Sequence, residues 1–330
     1  MKNQAPSNLS AMSGLQVGHA QHPGRPTGCT VVLCPQGAVA GVDVRGAAPG
    51  TRETDVLVPG HTVPHVHAIV LSGGSAYGLD TASGVMRWLE QQGHGLSVGP
   101  ALVPIVPAAV IFDLGVGDAL IRPDAQTGWQ ACENAITKPF EVGNVGAGAG
   151  ATVGKVFGPE LAMKGGLGSA LVTVGPWQVG ALVVCNALGD VVDPQTGAIV
   201  AGARTHPQSL KPLNTTQALL SAQQPPNLMA GTHTTIGVVA CNAMLDKAQA
   251  QRLALAGHDG LARTIRPVHT PMDGDTLFGL ATGTCSQTPD LMLLGTMAAE
   301  AVAQATLNAV RSARGLRLGE RWWPAASDLV

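Results

Sequence analysis

The feature that most constrains this chain is an abrupt change of pattern at residue 234. Residues 205–233 are polar, contain four prolines and show little periodicity, which predicts a long loop or linker. The uncharged, β-branched run Thr-Thr-Ile-Gly-Val-Val-Ala-Cys at residues 234–241 follows directly and predicts a buried strand. The predicted linker therefore leads directly into a core strand, and we expect the main division of the chain near residue 233.

Predicted strands and helices occur on both sides of this division. We expect strands at residues 29–34, 38–44, 67–71, 170–174 and 179–185, and helices at 124–137, 246–256 and 289–314. One more helix should follow Ser72-Gly-Gly-Ser75 and end at Gly93. A chain of 330 residues is long enough for one large domain or two ordinary ones, and the mixture indicates an α/β or α+β fold.

Composition argues against nucleic-acid and membrane partners. Charged residues make up 12% of the chain and the net charge is −2, whereas nucleic-acid-binding proteins carry a basic surface. The longest uncharged stretch, residues 165–189, is interrupted by Gly175-Pro176 and predicts two strands rather than a spanning helix. The first residues lack the apolar core of a signal peptide, so we expect a cytoplasmic protein.

The scarcity of charge also predicts that part of the surface is buried between the subunits of a homo-oligomer. Typical soluble proteins have about 25% charged residues, roughly twice the 12% found here. The six cysteines are scattered without CxxC spacing, and we expect most of them to be buried free thiols.

A glycine-rich tract at residues 143–154 precedes Lys155. It does not match the GxxxxGK[ST] phosphate loop, and its GxGxxA match at residues 146–151 lacks the acidic residue expected about 20 positions later. Nucleotide binding is therefore the minor alternative, and close approach of the backbone to another backbone or to a ligand is preferred. Lys155 is a charge in an apolar neighbourhood, which indicates a side chain directed at a site.

Two further motifs have simpler interpretations. His65 and His67 lie two apart and could begin a metal site, but no third ligand has convincing spacing, so structural histidines are preferred. Ser75 lies at a strand-to-helix turn, yet Tyr77 replaces the last glycine of the GxSxG elbow, which leaves a serine hydrolase as a weak alternative.

Asp273 and Asp275 form an Asp-Gly-Asp sequence that alone would indicate a solvated turn, although it lies in a segment, residues 258–278, rich in histidine, arginine and aspartate.

Thr234 has an unusual chemical option. If the chain is cut before it, Thr234 carries both a hydroxyl and an amine with a pKa of about 7.7–8.0, which can act as the general base for that hydroxyl. Position alone does not select this chemistry, because threonine is also common in strands.

An ordered set of motifs resembles the L-aminopeptidase/D-esterase (DmpA-like) family, which includes β-peptidyl aminopeptidases and nylon-oligomer hydrolases. The motifs are Thr-Gly-Cys-Thr-Val-Val-Leu at residues 27–33, Val-Arg-Gly-Ala-Ala-Pro-Gly-Thr-Arg-Glu-Thr at 44–54, Leu-Ser-Gly-Gly-Ser-Ala-Tyr-Gly-Leu at 71–79, Pro-Ile-Val-Pro-Ala-Ala-Val-Ile-Phe-Asp at 104–113, Thr-Thr-Ile-Gly-Val-Val-Ala at 234–240 and His-Thr-Pro-Met-Asp-Gly-Asp-Thr at 269–276. The resemblance covers about residues 12–312.

The resemblance implies an α+β fold, a four-layer α-β-β-α sandwich like that of the ornithine acetyltransferases. It implies that the precursor cleaves itself between His233 and Thr234 into a large chain, residues 1–233, and a small chain, residues 234–330, which form one structural unit. Oligomers of such pairs, often tetramers, are expected. Relatives commonly have Asn or Gly before the cut, so His233 departs from the family pattern.

The same resemblance implies roles for individual residues. Thr234 matches the nucleophile, Asn186 the oxyanion-stabilising asparagine, and Asp273 and Asp275 the side chains that orient the nucleophile. Lys155 matches a lysine of the nylon-hydrolase branch. Tyr77 and Phe112 are candidates for the substrate pocket, and Phe112 stands where some relatives have a tyrosine.

The resulting hypothesis is a self-processing amidohydrolase or aminopeptidase that needs no metal or organic cofactor. Its substrates would be small peptides, amino-acid amides or related oligomers, cleaved through an acyl-enzyme on Thr234. Two alternatives stay open. One is an acyltransferase of the ornithine-acetyltransferase type, although the expected Ala-Thr-Cys-Thr-like motif is missing at residues 230–235. The other is a non-catalytic, ligand-binding relative.

Overall fold

The computed structural model of the protein describes residues 8–226 and 231–329. These residues form five α-helices: α1 (Thr81–Gln91), α2 (Ala125–Glu133), α3 (Thr215–Leu220), α4 (Lys247–Thr264) and α5 (Leu291–Arg311). They also form eighteen strands: β1 (Gln16–Gln21), β2 (Gly28–Val44), β3 (Thr51–Arg52), β4 (Val66–Ser72), β5 (Leu96–Ser97), β6 (Leu102–Val103), β7 (Ala108–Val110), β8 (Thr152–Val153), β9 (Met163–Lys164), β10 (Gly166–Val174), β11 (Trp177–Asn186), β12 (Asp190–Val192), β13 (Ile199–Ala201), β14 (Thr234–Ala243), β15 (Ile265–Arg266), β16 (Thr276–Cys285), β17 (Leu316–Leu318) and β18 (Arg321–Trp323).

Nine strands belong to one hydrogen-bonded network that is divided by the long strand β2. The order is β10-β11-β14-β16-β2-β4-β7-β3, with β1 also paired to β2. The first part of β2 pairs with β1 and β4, its last part pairs with β16, and the register shifts between Leu33 and Ala38. We call the β10-β11-β14-β16 part sheet B and the β1-β4-β7-β3 part sheet A. The two strands predicted at residues 29–34 and 38–44 are thus one strand that joins both sheets.

Strict alternation of buried residues shows that the two sheets are stacked. In β11 and β14, Val183 and Val239 pack in one apolar cluster with α4 and α5. Their neighbours Val184 and Val238 belong to a second cluster, together with Ile69 of sheet A. A third cluster lies between sheet A and helices α1 and α2. Because successive strand residues point to opposite faces, these clusters are the three interfaces of four layers, which confirms the predicted α-β-β-α sandwich.

The ends of two helices, α4 and α2, differ most from the predicted bounds. Helix α4 continues to Thr264 instead of ending at residue 256, because Gly260 lies against the backbone of α5 where a Cβ would collide with the Ala299 carbonyl. This glycine permits close helix packing and does not end the helix. Helix α2 ends at Glu133 rather than residue 137, because Ile136 exchanges two backbone hydrogen bonds of 3.0 Å with Val17 of β1.

The described part of the predicted linker includes a short helix, α3, which begins after the N-cap Asn214. Its first residue, Thr215, is anchored to the body of the protein through a backbone hydrogen bond of 2.8 Å to the Asp190 carboxylate. Residues 227–230 of the predicted linker lie outside the described residues. Among the helices described, none combines the length and the apolar character that a membrane span requires.

Strand β14 lies in the middle of sheet B and determines the position of the site. It runs antiparallel to β11 on one side and parallel to β16 on the other. The start of β14, the end of β11 and the turn that precedes β16 therefore lie side by side at the same end of the sheet. These three points carry Thr234, Asn186 and the Asp273–Asp275 turn.

Candidate active site

Thr234 and Asn186 face each other across two neighbouring strands. Thr234 is the first residue of β14, and the antiparallel register pairs it with Asn186, the last residue of β11. Even-numbered residues of both strands, such as Val184 and Val238, face the space between the sheets. Thr234 and Asn186 continue this alternation. Thr234 and Asn186 are buried, with exposed fractions of 3% and 0%, so the two residues lie inside the sandwich rather than on its surface.

Hydrogen bonds on both sides fix the orientation of the Asn186 amide. Its Oδ1 accepts from the backbone N–H of Thr152 and from Nζ of Lys155, each at 3.0 Å. Its Nδ2 donates to the Phe112 carbonyl at 3.2 Å. Two donors on one side and an acceptor on the other select this orientation over the flipped amide. An amide nitrogen has two hydrogens, so the second can serve an oxyanion.

Lys155 is a buried ammonium group bound to both oxygens of Asn186. Besides Oδ1, its Nζ donates to the Asn186 backbone carbonyl at 2.9 Å. Burial lowers the pKa of Lys155 to about 7, an effect that the nearby Asp273 carboxylate opposes. The side chain predicted to be directed at a site is therefore held against Asn186, and its charge changes near neutral pH.

The two aspartates hold the backbone on each side of Thr234. Asp275 Oδ1 accepts from the backbone N–H of Thr235 at 2.6 Å. Asp273 pairs with His233 as a parallel bridge, and its Oδ2 accepts from the N–H and the hydroxyl of Thr270 at 2.8 and 2.6 Å. Burial and, to a smaller extent, the negative charge of the neighbouring Asp275 raise the pKa of Asp273 to about 6. Both residues therefore contact the chain next to Thr234 rather than solvent.

The peptide bond between His233 and Thr234 is held from two directions. The His233 carbonyl accepts from the Gly274 N–H at 3.0 Å and from the Thr234 hydroxyl. A Cβ on Gly274 would lie 3.0 Å from Thr234 Oγ1 and 2.5 Å from the Ala48 carbonyl, so only glycine allows this approach. Burial, with a smaller contribution from Lys155, lowers the pKa of His233 to about 2 and keeps its ring neutral.

Phe112 contributes its backbone carbonyl to the site, and the next residue fixes that carbonyl. The buried carboxylate of Asp113 forms an ion pair of 2.9 Å with Arg25 and accepts from the Gly74 N–H, also at 2.9 Å. The Thr27 hydroxyl donates to its other oxygen at 2.6 Å. The acceptor that orients Asn186 is thus anchored by a buried ionic network.

Tyr77 lies apart from this group, on the 3₁₀ turn Ser75–Asp80 that follows β4. Its side chain is 59% exposed, and the guanidinium of Arg122 lies 3.6 Å from the centre of its ring. The described contacts thus join Tyr77 to Arg122, whereas they join Phe112 to Asn186. A substrate-pocket role stays a prediction for both residues.

Lys164 is a buried residue that the sequence analysis did not single out. Its Nζ donates to the carbonyls of Gly148, Ala151 and Gly165 at 3.1, 2.8 and 3.0 Å. These bonds hold the end of the glycine-rich tract, from which Thr152 reaches Asn186. Lys164 directly precedes the uncharged stretch at residues 165–189, and this position is the signal in the sequence that could have selected it.

The remaining motifs have structural roles. The tract at residues 146–148 forms a single 3₁₀ turn, and a Cβ on Gly148 would lie 2.4 Å from the backbone nitrogen of Leu167, which is the predicted close approach of backbone to backbone. His67 is buried and accepts a hydrogen bond of 3.1 Å from the Ile105 N–H, as a structural histidine does. Within residues 8–226 and 231–329, no group of three His, Cys, Asp or Glu side chains is arranged to hold a metal ion.

Comparisons with known proteins identify the family of this chain. The model of peptidase family S58 matches residues 8–320. An uncharacterized aminopeptidase of Mycobacterium leprae is 45% identical, over 94% of this chain and 92% of its own length. A 6-aminohexanoate-oligomer endohydrolase of Paenarthrobacter ureafaciens is 35% identical, over 82% of this chain and 73% of its own length.

Solved structures show the same fold at low sequence identity. A β-aminopeptidase from Burkholderia superposes with a TM-score of 0.71 at 20% identity, over 98% of this chain and 93% of its own. An L-aminopeptidase D-Ala-esterase/amidase from Ochrobactrum anthropi, described as a variant of the Ntn hydrolase fold, gives a TM-score of 0.70 at 20% identity, over 96% and 90%. The resemblance found in the sequence is therefore confirmed: this chain belongs to peptidase family S58, and it is a hydrolase.

Proposed function

We propose that this hydrolase cleaves its own chain between His233 and Thr234 and then hydrolyses amide bonds with Thr234 as the N-terminal nucleophile. The observation that carries the proposal is the arrangement around one peptide bond. The Thr234 hydroxyl lies against the His233 carbonyl, and that carbonyl already accepts from the Gly274 N–H. A nucleophile and a donor to the developing oxyanion are thus present at the same carbonyl.

The self-cleavage step follows from these contacts. Thr234 Oγ1 attacks the His233 carbonyl carbon, the Gly274 N–H stabilises the negative charge on the carbonyl oxygen, and the C–N bond breaks as the hydroxyl proton passes to the departing nitrogen. The product is an ester between His233 and Thr234 Oγ1. Water hydrolyses this ester, which releases the carboxylate of His233 and leaves Thr234 with a free amine and a free hydroxyl.

Turnover uses the same residue with a different proton acceptor. The new amine, with a reference pKa of about 7.7–8.0, takes the proton of Oγ1 as the hydroxyl attacks the substrate carbonyl, and returns it to the leaving amine. The free N–H of Asn186 stabilises the tetrahedral oxyanion, a contribution of about 2.7–4 kcal/mol. Water then hydrolyses the acyl-enzyme.

Lys155 supplies positive charge beside the cut. Its charge contributes to lowering the pKa of His233, so its field reaches the peptide bond that is cleaved. The same charge favours the neutral form of the Thr234 amine and the negative charge of the oxyanion. The bonds from Lys155 to both oxygens of Asn186 also keep the amide nitrogen turned away from the ammonium group.

We propose short peptides, amino-acid amides or amide-linked oligomers as the substrates. The support is that relatives at 45% and 35% identity are named as an aminopeptidase and as an oligomer endohydrolase, both of which act on amide bonds. We further propose that the cleaved pairs assemble into a homo-oligomer, in line with a content of charged residues of only 12%. Light scattering on the purified protein measures that assembly directly.

Two variants of Thr234 test the function. Thr234→Ala should remain a single chain and lose hydrolysis of a panel of small amides and peptides. Thr234→Ser keeps both the hydroxyl and the future amine, so it should still cleave itself and turn over at a reduced rate. Hydrolysis by Thr234→Ala at a rate close to wild type would contradict the proposal.

A further inference from the structure

His269 has a backbone conformation that few residues adopt. Its φ is +55°, in the left-handed region, where non-glycine residues are uncommon and histidine, asparagine and aspartate are over-represented. Its side chain is only 16% exposed. A half-buried histidine in this conformation indicates that the contacts of the residue, rather than its local preference, select the geometry.

Those contacts go to one oxygen of Asp275. Oδ2 accepts from His269 Nδ1 at 2.8 Å and from the His269 backbone N–H at 3.1 Å. Oδ1, the other oxygen, accepts from the Thr235 N–H at 2.6 Å. One carboxylate therefore bridges His269 to the residue directly after the nucleophile, and the two bonds from His269 determine how that carboxylate is rotated.

The ring of His269 is also held from behind. It packs edge to face against His258, with ring centres 4.8 Å apart and an angle of 70° between the planes. Nε2 of His258 is in turn hydrogen-bonded to the Asp43 backbone carbonyl at 3.0 Å. Among the described residues, Nε2 of His269 has no hydrogen-bond partner. Among those residues, the His269 ring therefore makes its hydrogen bond through Nδ1, to the Asp275 carboxylate.

We propose that His269 is a positioning residue that fixes the Asp275 carboxylate and, through it, the backbone at Thr234 and Thr235. The inference rests on the proposed role of Thr234, and it assigns His269 no contact with reacting atoms. The residue acts on the alignment of Oγ1 with a carbonyl carbon, so it affects the rate of attack more than the binding of substrate.

The test compares His269→Asn with His269→Gly. Asparagine and glycine both tolerate a positive φ, but only asparagine retains a side-chain donor for Asp275. We expect H269N to keep the self-cleavage rate and kcat within about threefold of wild type. H269G should lower both by about 10–100-fold and leave KM within about threefold. Equal rates for H269N and H269G, or a large effect confined to KM, would overturn the proposal.

Hydrogen exchange separates this inference from the proposed function. In single chains that carry Thr234→Ala, exchange of the Thr235 amide should stay slow with H269N and become at least about tenfold faster with H269G. This measurement needs no cleavage, so it reports on the bridge even if wild type does not process itself. Equal exchange in both variants contradicts the bridge. If H269G does not fold, H269N decides alone, because a rate or an amide protection lost in H269N overturns the proposal.

Discussion

Asn186 lies directly opposite Thr234 in the β11–β14 ladder, and both side chains belong to the face of sheet B that is turned toward sheet A. The candidate nucleophile and the candidate oxyanion donor are therefore held by adjacent strands in the interior of the protein. Their supports come from three other segments, the glycine-rich tract, the Phe112 loop and the Asp273–Asp275 turn. Single substitutions in this pair and in the residues around it give distinct predictions.

Removal of the Asn186 donor should affect turnover more than self-cleavage. Asn186→Ala should lower kcat by about 10²–10³-fold with little change in KM, because the donor acts on the transition state. Self-cleavage should slow by less than about tenfold, since the His233 carbonyl is bound by the Gly274 N–H. Asn186→Asp, which keeps the shape but loses the donor, should have an equally low kcat. A kcat within about threefold of wild type in either variant would remove Asn186 from the mechanism.

Lys155 predicts the pH dependence of turnover. Burial lowers its pKa to about 7, so its positive charge is lost as the pH rises above that value. The Thr234 amine must instead lose its proton, which requires a rising pH. These opposite requirements predict that kcat/KM has a maximum near pH 7 and falls on both sides.

Lys155→Arg is the matched control for this profile, because arginine stays protonated at every accessible pH. The decline on the alkaline side should disappear or move above about pH 9, whatever the absolute rate of the variant. A wild-type profile that rises steadily up to about pH 9 would show that the Lys155 charge is not needed.

Lys164 should contribute to stability rather than to chemistry. Lys164→Met keeps most of the side-chain volume but removes the Nζ donor from three buried carbonyls, of which those of Gly148 and Ala151 keep a backbone N–H donor. The free energy of unfolding should therefore fall by about 3 kcal/mol. Urea unfolding in the uncleaved Thr234→Ala protein measures this with one chain. The exposed Lys211 provides the control, and Lys211→Met should change stability by less than about 0.5 kcal/mol.

The stability attributed to Lys164 should also depend on pH. Burial lowers the pKa of Lys164 from its ordinary value of 10.5 to about 7, so the unfolded chain binds more protons than the folded chain between these two values. Stability therefore rises with pH over that window. Lys164→Met should reduce this rise, and an unchanged slope would show that Lys164 does not titrate there.

Gly274 should be required for self-cleavage because there is no room for a side chain at this position. Gly274→Ala places a Cβ 2.5 Å from the Ala48 carbonyl and 3.0 Å from Thr234 Oγ1, which displaces the N–H donor and should slow cleavage by about 10²-fold. Gly295 in α5 is the control, since a Cβ there has an ordinary contact of 3.5 Å with Ala256. Gly295→Ala should leave cleavage unchanged and stabilise the helix by about 0.5–1 kcal/mol. Equal cleavage rates in the two variants would contradict this role for Gly274.

The elements that form the sandwich were predictable because their signals are local. The β-branched run that begins at Thr234 and the caps before α4 and α5 can be read within a few residues. The end of α4 could not be read in this way, because whether Gly260 ends a helix or packs against one depends on a second helix. The continuity of β2 was likewise decided by its two partners, β4 and β16.

Apart from Lys155, which its apolar neighbourhood indicated, the residues of the site were predictable only where a resemblance supplied them. Nothing within the sequence near Asn186 indicates that it faces Thr234, because the pairing joins residues of two separate strands. Asp275 and His269 are close in sequence, yet the bridge to Thr235 appears only when β16 lies beside β14. Lys164 was missed because an isolated lysine gives the same pattern whether it is solvated or bound to three carbonyls.

The most direct test of the account is mass spectrometry of the fully active wild-type enzyme, with identification of the N-terminal peptide of every chain present. The account predicts two chains that together make up the 33.4 kDa precursor, with the smaller one beginning at Thr234 and carrying an unmodified amine. An active enzyme that retains the intact bond between His233 and Thr234, or a small chain that begins at another residue, would contradict it.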